Sequence, residues 1–247
     1  KPNATDGRDE EIRFGLYTIK NLGVDIADAI IEERNRGGKY TSFENFIRRV
    51  THKNLNKKSL EALTMCGALD AFAPRGDVLA NMDNILSFHK HVVKDNIMQD
   101  SLFGANDTTS FVMKQAPPVS QEQKLQWEKE LLGLFVSGFP LDPWKEKILA
   151  RGVDIEAVHH TIPDGKEVNL ASIIEGIKIT KTKKGDHMAL VRLRDYTGAL
   201  EVAVFPESYK RYKPLIVPDV PLVVRGKVST RNGEKTLVVD EIKRLGD

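Results

Sequence analysis

The stretch His187–Val204 reads HMALVRLRDYTGALEVAV and decides the fold of the C-terminal third of the chain. Apolar residues occupy every second position in two runs, Ala189–Leu193 and Leu200–Val204. A period of two is typical of β-strands that bury one face. The residues between the runs, Asp195–Gly198, are typical of a turn. This stretch therefore predicts two neighbouring strands.

The same alternation continues outward from these two strands. It appears at Ile177 and Ile179, which we predict to point inward, and at Leu222 and Val224. The segment Pro206–Tyr212 is compatible with a helix. Five short strands with a helix after the third favour a small barrel of the oligonucleotide-binding (OB) type. A generic small sandwich is the alternative. We assign this domain to residues 166–247.

The rest of the chain has helical spacing. From residue 12 to about residue 95, apolar residues recur every three or four positions, which predicts an all-α domain over residues 1–98. Within residues 99–119, Gly104–Ser110 is polar and rich in helix-breaking residues, and Pro117-Pro118 is extended, as in a linker. Connecting helices are predicted over 120–165. The predicted fold class is thus multidomain α + β, with an all-α domain followed by a five-stranded barrel.

Composition excludes several classes of protein. The single cysteine, Cys66, excludes an internal disulfide framework, and the six histidines show no zinc-binding spacing. No apolar run is long enough to cross a membrane and no secretory signal is visible, so we expect a cytoplasmic protein without a membrane partner. The chain opens at Lys1 without a Met, so we expect a piece of a longer protein.

Charge is distributed unevenly although the net charge is only +2. From Val168 to the C-terminus there are 15 Lys and Arg against 10 Asp and Glu, whereas the remainder of the chain is slightly acidic. A basic module beside a mildly acidic one indicates where a phosphate backbone would bind.

Two short segments of the helical domain are typical of helix-hairpin-helix modules. They are Ile19–Asp25, followed by a helical pattern, and Leu63–Leu69. In such modules the hairpin amides and the N-terminus of the next helix contact DNA phosphates without regard to base sequence. Helices joined by tight turns, with no ligand, are the alternative. The predicted duplex-binding residues are Lys20, Asn21, Leu22, Gly23, Val24, Gly67, Ala68 and Arg75.

The segment Gln99-Asp100-Ser101-Leu102-Phe103 has the composition of a peptide that binds a bacterial sliding clamp. Gln99 would make polar bonds, and Leu102 and Phe103 would fill an apolar pocket. The alternative is that both apolar side chains fold back onto the helical domain.

The barrel carries a third candidate site. Its alternation predicts Lys178, Arg192 and Phe205 on one outer face, which is the combination of cations and an aromatic ring that binds single-stranded DNA. A solvated basic face, with its aromatic residues packed against a neighbouring domain, is the alternative. The full predicted set is Lys178, Lys181, Lys183, Lys184, Arg192, Phe205, Tyr209 and Arg211.

These segments, in this order, resemble the alpha subunit of bacterial DNA polymerase III. The resemblance covers Ile12–Asn21, Leu60–Asp70, Glu128–Gly133, Ser137–Leu141 and several strands of the barrel. Phe139 departs from the pattern, since the family usually has His there.

The resemblance implies a division of labour. The helical domain would hold duplex DNA, residues 99–103 would bind the beta sliding clamp, and the barrel would contact unpaired template. The polymerase site and its Mg²⁺ would lie outside this chain, which itself needs no cofactor. Other holoenzyme subunits would be partners. An error-prone paralogue of this subunit, or a tRNA-binding accessory module, remains as an alternative.

Overall fold

The computed structural model describes residues 14–98, 111–231 and 233–246, with the backbone alone described at 95–98. The chain forms two compact units, Lys1–Ser137 and Gly138–Asp247. The division falls inside the segment 120–165, which the sequence predicted as connecting helices.

The described part of the first unit consists of helices joined by turns and by the extended segment 111–119. Its α-helices are α1 (Val24–Gly37), α2 (Phe43–Arg49), α3 (Lys57–Met65), α4 (Arg75–Ala80), α5 (Met82–Met98) and α6 (Gln121–Leu132). Ile26, Phe46 and Leu60 are almost fully buried in its core. The helical spacing seen in the sequence is therefore the pattern of this core.

The segment 111–119 returns from α5 to the helical core. The amide of Asn81 pairs with the backbone of Lys114 in both directions, at 2.8 and 3.0 Å. Ala116 N donates to Asp77 Oδ1 at 2.8 Å. The ring of Phe111 lies 5.2 Å from that of Phe88. This part of the predicted linker is therefore fixed to α4 and α5.

A buried ion pair joins α6 to α4 within the first unit. Glu128 is fully buried, and its Oε1 accepts a hydrogen bond from Arg75 Nη2 at 2.8 Å. Its Oε2 accepts from the amides of Val136 and Ser137 at 2.8 and 2.9 Å. Burial opposes ionisation, but these hydrogen bonds keep the pKa of Glu128 below its ordinary value. Residues 120–137 are thus part of the helical unit.

The second unit is a closed barrel with the strand order β1-β2-β3-β5-β4, in which β3 and β5 are parallel. The predicted five-stranded barrel is confirmed. Its elements are α7 (Lys145–Arg151), α8 (Ile155–His160), β1 (Glu167–Lys181), β2 (His187–Arg194), β3 (Ala199–Val204), α9 (Pro206–Tyr212), β4 (Leu222–Arg231) and β5 (Glu234–Arg244).

Helix α8 belongs to the barrel core. Ile155 and Val158 are fully buried among the inner side chains of the strands. The carboxylate of Asp195, in the β2–β3 turn, accepts a hydrogen bond from Ile155 N at 2.8 Å. The barrel therefore needs residues well before 166.

The prediction of inner positions for Ile177 and Ile179 is correct in register but wrong in burial. Both pair with inner residues of β2, Val191 and Ala189 respectively. Their side chains are nevertheless 37% and 58% exposed. The reason is that β1 pairs with β4 only as far as Ser172, so its second half has β2 alone as a neighbour.

Candidate nucleic-acid interfaces

The first predicted hairpin is a tight turn that leads into α1. Asn21 adopts a left-handed φ of 69°, which Asn tolerates better than most residues. The amides of Lys20 and Leu22 are already used, since they donate to Leu131 O and Ile19 O at 2.9 and 3.2 Å. Leu22 is also buried in the core. The prediction that Leu22 contacts DNA is therefore wrong, because Leu22 anchors the hairpin.

Gly23 is the N-cap of α1 and faces solvent. Its φ of −68° and ψ of 150° suit any residue, and an added Cβ would meet no atom within 4 Å. The first helical hydrogen bond is donated by Ala27 to Gly23 O, so the amides of the first turn have no acceptor inside the helix. Nothing in the fold requires glycine here, whereas close approach of an outside group would.

A second turn lies beside this helix end. The Nδ2 atom of Asn54 lies 3.3 Å from Asp25 Oδ2, which brings the turn before α3 next to the first turn of α1. Lys53, Lys57 and Lys58 are exposed in this turn and at the start of α3. These lysines were not among the predicted site residues, although three cations within six residues are a signal visible in the sequence.

In the second predicted hairpin, the amides of Gly67 and Ala68 are already used. Gly67 N and Ala68 N donate to Thr64 O and Leu63 O at 3.1 and 3.0 Å, which closes the C-terminal end of α3. Gly67 has a φ of 85°, and a Cβ there would clash with the guanidinium of Arg75. The fold itself thus explains this glycine, and the amides of Gly67 and Ala68 are not free to donate to a phosphate.

Arg75 is also unavailable to DNA. Only 3% of its side chain is exposed, and its guanidinium donates to Asp70, Glu128 and Met65 O at 2.8–3.1 Å. Although burial opposes the charge, these carboxylates raise the pKa of Arg75 above its ordinary value. The assignment of Arg75 to duplex binding is wrong because its charge holds the helical unit together.

The strand register agrees with the prediction that Lys178, Arg192 and Phe205 lie on one outer face of the barrel. Lys178 pairs with Leu190 and Arg192 pairs with Glu201, on the outer side of β1, β2 and β3. Phe205 follows β3 on the same side by period, and its side chain is 39% exposed. One apolar ring and exposed cations therefore share this side of the barrel.

One of these cations already has a partner. Arg192 Nε and Arg194 Nη1 contact the two oxygens of Glu175 at 2.8 and 3.0 Å. Burial of Glu175 works against ionisation, but both arginines lower its pKa below the ordinary value. Arg192 therefore carries less free charge than the sequence indicates.

The β1–β2 loop is a compact turn. Thr182 N donates to Asp186 O at 2.8 Å and Gly185 N donates to Thr182 O at 2.9 Å. Lys183 and Lys184 at its tip, and Lys181 at the end of β1, are exposed. The predicted cationic rim is thus present at the surface.

The remaining two predicted residues, Tyr209 and Arg211, lie on opposite sides of helix α9, one buried and one exposed. Arg211 is exposed, and its charge helps to lower the pKa of Glu241 on β5, after the larger effect of the hydrogen bond from Lys243. Tyr209 is 8% exposed and packs in the barrel core. The assignment of Tyr209 to DNA binding is wrong, since only the alternate side of α9 faces solvent.

The remaining points concern the predicted clamp peptide, metal binding and membrane spans. The segment Gln99–Phe103 lies outside the described residues. In the described part of the chain, no group of three or more His, Cys, Asp or Glu side chains could hold a metal ion. Among the described helices, none has the length and apolar character of a membrane span.

Comparison with family models finds the same two parts. A model described as a helix-hairpin-helix motif matches residues 2–77. A model described as an OB-fold nucleic acid binding domain matches residues 168–245. Together with the closed barrel, these matches confirm the predicted fold class.

Curated relatives match nearly the whole chain. It is 35% identical over 250 residues to the DNA polymerase III subunit alpha of Borreliella burgdorferi, covering 96% of this chain and 21% of the relative. It is 35% identical over 234 residues to the Thermus aquaticus subunit, covering 93% of this chain and 19% of the relative. The chain thus spans about a fifth of these relatives.

A solved structure resembles about a third of the chain more distantly. The mitochondrial single-stranded DNA binding protein Rim1 of S. cerevisiae is 14% identical with a TM-score of 0.29, covering 33% of this chain and 97% of that chain. This likeness is too weak to bear on function.

Proposed function

We propose that this chain, which is homologous over nearly its whole length to a region of the bacterial DNA polymerase III alpha subunit, binds DNA for chromosome replication. In this proposal the helical unit holds duplex DNA by its phosphates. The barrel contacts unpaired template, and residues 99–103 bind the beta sliding clamp. The chain contributes binding, and the chemistry belongs to the parent polymerase.

The duplex site is proposed at the first hairpin. The observation that carries it is Gly23, a glycine that the fold does not require, at the start of a helix whose first amides lack acceptors. Backbone amides at a helix start bind phosphate by hydrogen bonds and by the helix dipole. Lys20 and Lys53 are exposed nearby and add positive charge. Asp25 opposes binding, but it is hydrogen-bonded to Asn54.

The variant Gly23→Asp tests this site. Aspartate is a favourable N-cap, so the helix should stay folded while the added carboxylate takes the amides and repels phosphate. We expect duplex affinity to fall about tenfold or more, since charge-assisted hydrogen bonds contribute about 1.5–3 kcal/mol. Fluorescence anisotropy with a labelled duplex measures this.

The matched control is Ser120→Asp, which adds the same charge at the N-cap of α6 in the same unit. It should leave duplex affinity nearly unchanged. An equal loss in both variants would show that only net charge matters, and would contradict a site at the first hairpin.

The single-strand site is proposed on the outer side of β1–β3 and its loop. Lys181, Lys183 and Lys184 can follow a phosphate backbone, and exposed Phe205 can stack an unpaired base. Strands β2 and β3 and the β1–β2 loop are the parts of OB-folds that bind oligonucleotides.

The clamp site is proposed at Gln99–Phe103 from its composition and its position after α5. Replacing Leu102 and Phe103 together by Ala should abolish binding to an immobilised sliding clamp and leave duplex affinity intact. Surface plasmon resonance measures both. Unchanged clamp affinity would count against this assignment.

The wider setting is also a proposal. We infer that the parent protein is a DNA-directed DNA polymerase that acts in the cytoplasm with other holoenzyme subunits and uses Mg²⁺. The described residues offer no carboxylate cluster for that ion, so we assign no Mg²⁺ ligand to this chain. The helix-hairpin-helix match beside the barrel favours a polymerase over a tRNA-binding accessory module.

A further inference from the structure

A groove of about 460 Å³ lies within the second unit, on a side of the barrel that the proposed single-strand site does not use. Helix α7 lines one wall, and the outer faces of β1, β4 and β5 line the other. Ile148 and Val153 on the α7 side, with Ala171 and Val223 on the strands, give the groove an apolar floor. Its volume is in the range of small-molecule sites.

Cations surround this apolar floor. Lys147 and Arg151 are one helical turn apart on α7, and both are exposed, as is Arg244 at the end of β5. None of the three forms an ion pair within the described part of the chain. Their charge is therefore available to an anionic ligand.

A fourth and a fifth cation are held in place by one carboxylate. Glu241 Oε1 lies 2.9 Å from Lys243 Nζ, and its Oε2 lies 3.2 Å from Arg225 Nη2. One acidic side chain thus positions two basic ones on the strand wall. The groove as a whole keeps an excess of positive charge.

Trp144 supplies an aromatic surface at the same place. It is half-buried and lines the groove immediately before α7. The backbone of Gly246 packs close to the indole, since a Cβ there would come within 3.3 Å of Trp144 Cζ2. Because the ring is held by this contact, stacking on it would cost little side-chain entropy.

We propose that this groove is a second binding site for single-stranded nucleic acid, with a base on Trp144 and phosphates on Lys147, Arg151 and Arg244. A planar ring beside cations matches the alternation of base and phosphate in an unpaired strand. Duplex DNA does not fit, because its bases are already stacked on each other. The groove uses β4, β5 and the first half of β1, whereas Lys178 lies in the second half of β1 and Phe205 follows β3. The two sites therefore have no residue in common and can be tested separately.

Tryptophan fluorescence provides a direct test, because the chain has only two tryptophans, Trp127 and Trp144. In the full chain carrying Trp127→Phe, an oligothymidylate of about eight nucleotides, within the range of OB-fold sites, should quench Trp144 in a saturable manner. If that variant does not fold, the wild-type chain is titrated with Trp144→Phe as the blank.

Charge variants separate this site from the first one. Lys147→Ala with Arg151→Ala should lower the affinity for the oligonucleotide, measured from the quenching of Trp144, about fivefold or more. Lys166→Ala with Lys213→Ala makes the same charge change outside the groove and should leave this affinity unchanged. Lys183→Ala with Lys184→Ala in the β1–β2 loop should leave Trp144 quenching intact. Loss of quenching in that loop variant would overturn a separate site.

Two other ligands, each added alone, test whether the groove prefers single-stranded nucleic acid. A duplex of equal length and a hexaglutamate peptide should each fail to quench Trp144. Quenching by hexaglutamate equal to that by the oligonucleotide would overturn the assignment to nucleic acid, since the groove would then be a general anion surface. Absence of quenching by the oligonucleotide would overturn the proposal outright.

Discussion

At the scale of single residues, the pair of Arg75 and Glu128 determines how the helical unit holds together. Glu128 is fully buried and bonded on both oxygens, so its charge depends on Arg75 as a partner. Removing one member of a buried ion pair leaves the other charge uncompensated, which costs more than the pair contributes when intact.

We expect Arg75→Met to lower the free energy of unfolding by about 3–5 kcal/mol, because Glu128 loses its cation in a buried position. Urea denaturation followed by circular dichroism measures this. Arg36→Met, which removes a cation paired with Glu33 at an exposed position, should leave stability nearly unchanged. If Arg75→Met instead lost duplex affinity at unchanged stability, Arg75 would be a DNA contact after all.

Residue environments of this kind could not be predicted from the sequence. Arg75 follows Pro74 and precedes Gly76 in a stretch rich in turn residues, which gives no sign that its side chain is buried. Its partner Glu128 lies 53 positions away, beyond any local pattern. Tyr209 was misassigned for a similar reason, because the period of a seven-residue helix does not say which side meets the barrel.

At the scale of elements, the two hairpins show what a local motif can and cannot tell. Both have a glycine that follows a segment with apolar residues, so the sequence pattern does not distinguish them. In the structure Gly23 has open space around it, whereas Gly67 is needed for the approach of Arg75. The strands were predicted more reliably, because their period of two reflects burial in the barrel itself.

The β1–β2 loop supports a prediction on salt dependence. If Lys183 and Lys184 each neutralise one phosphate, replacing both by Ala should reduce the slope of log affinity for single strands against log salt by about 1.4. Titrations at several salt concentrations measure the slope. The variant Lys166→Ala with Lys213→Ala serves as the charge-matched control and should keep the original slope. A slope that does not change in the loop variant would place the strand elsewhere.

At the scale of the whole molecule, the division at residue 137 has consequences for dissection. Residues 120–137 carry Glu128 and Leu131 of the helical unit, while Ile155 and Val158 belong to the barrel core. Boundaries placed at 119 or 165, where the sequence pattern changes, would separate these side chains from the units that they complete.

We therefore expect pieces cut after Ser137 to be the stable ones. Residues 1–137 and 138–247 should each unfold cooperatively in urea. Residues 166–247 should be less stable than 138–247 by several kcal/mol, because two fully buried apolar side chains are missing and each contributes roughly 1.5–3 kcal/mol. Equal unfolding midpoints for the two barrel pieces would contradict this division.

The return of residues 111–119 to α4 and α5 limits how far the proposed clamp peptide can reach. The chain is fixed to the helical unit through Phe88 on one side and through Phe111 and Lys114 on the other. Residues 99–110 connect these two fixed parts of the chain. A ring bound at residues 99–103 would be connected to the helical unit through α5 on one side and through residues 111–119 on the other.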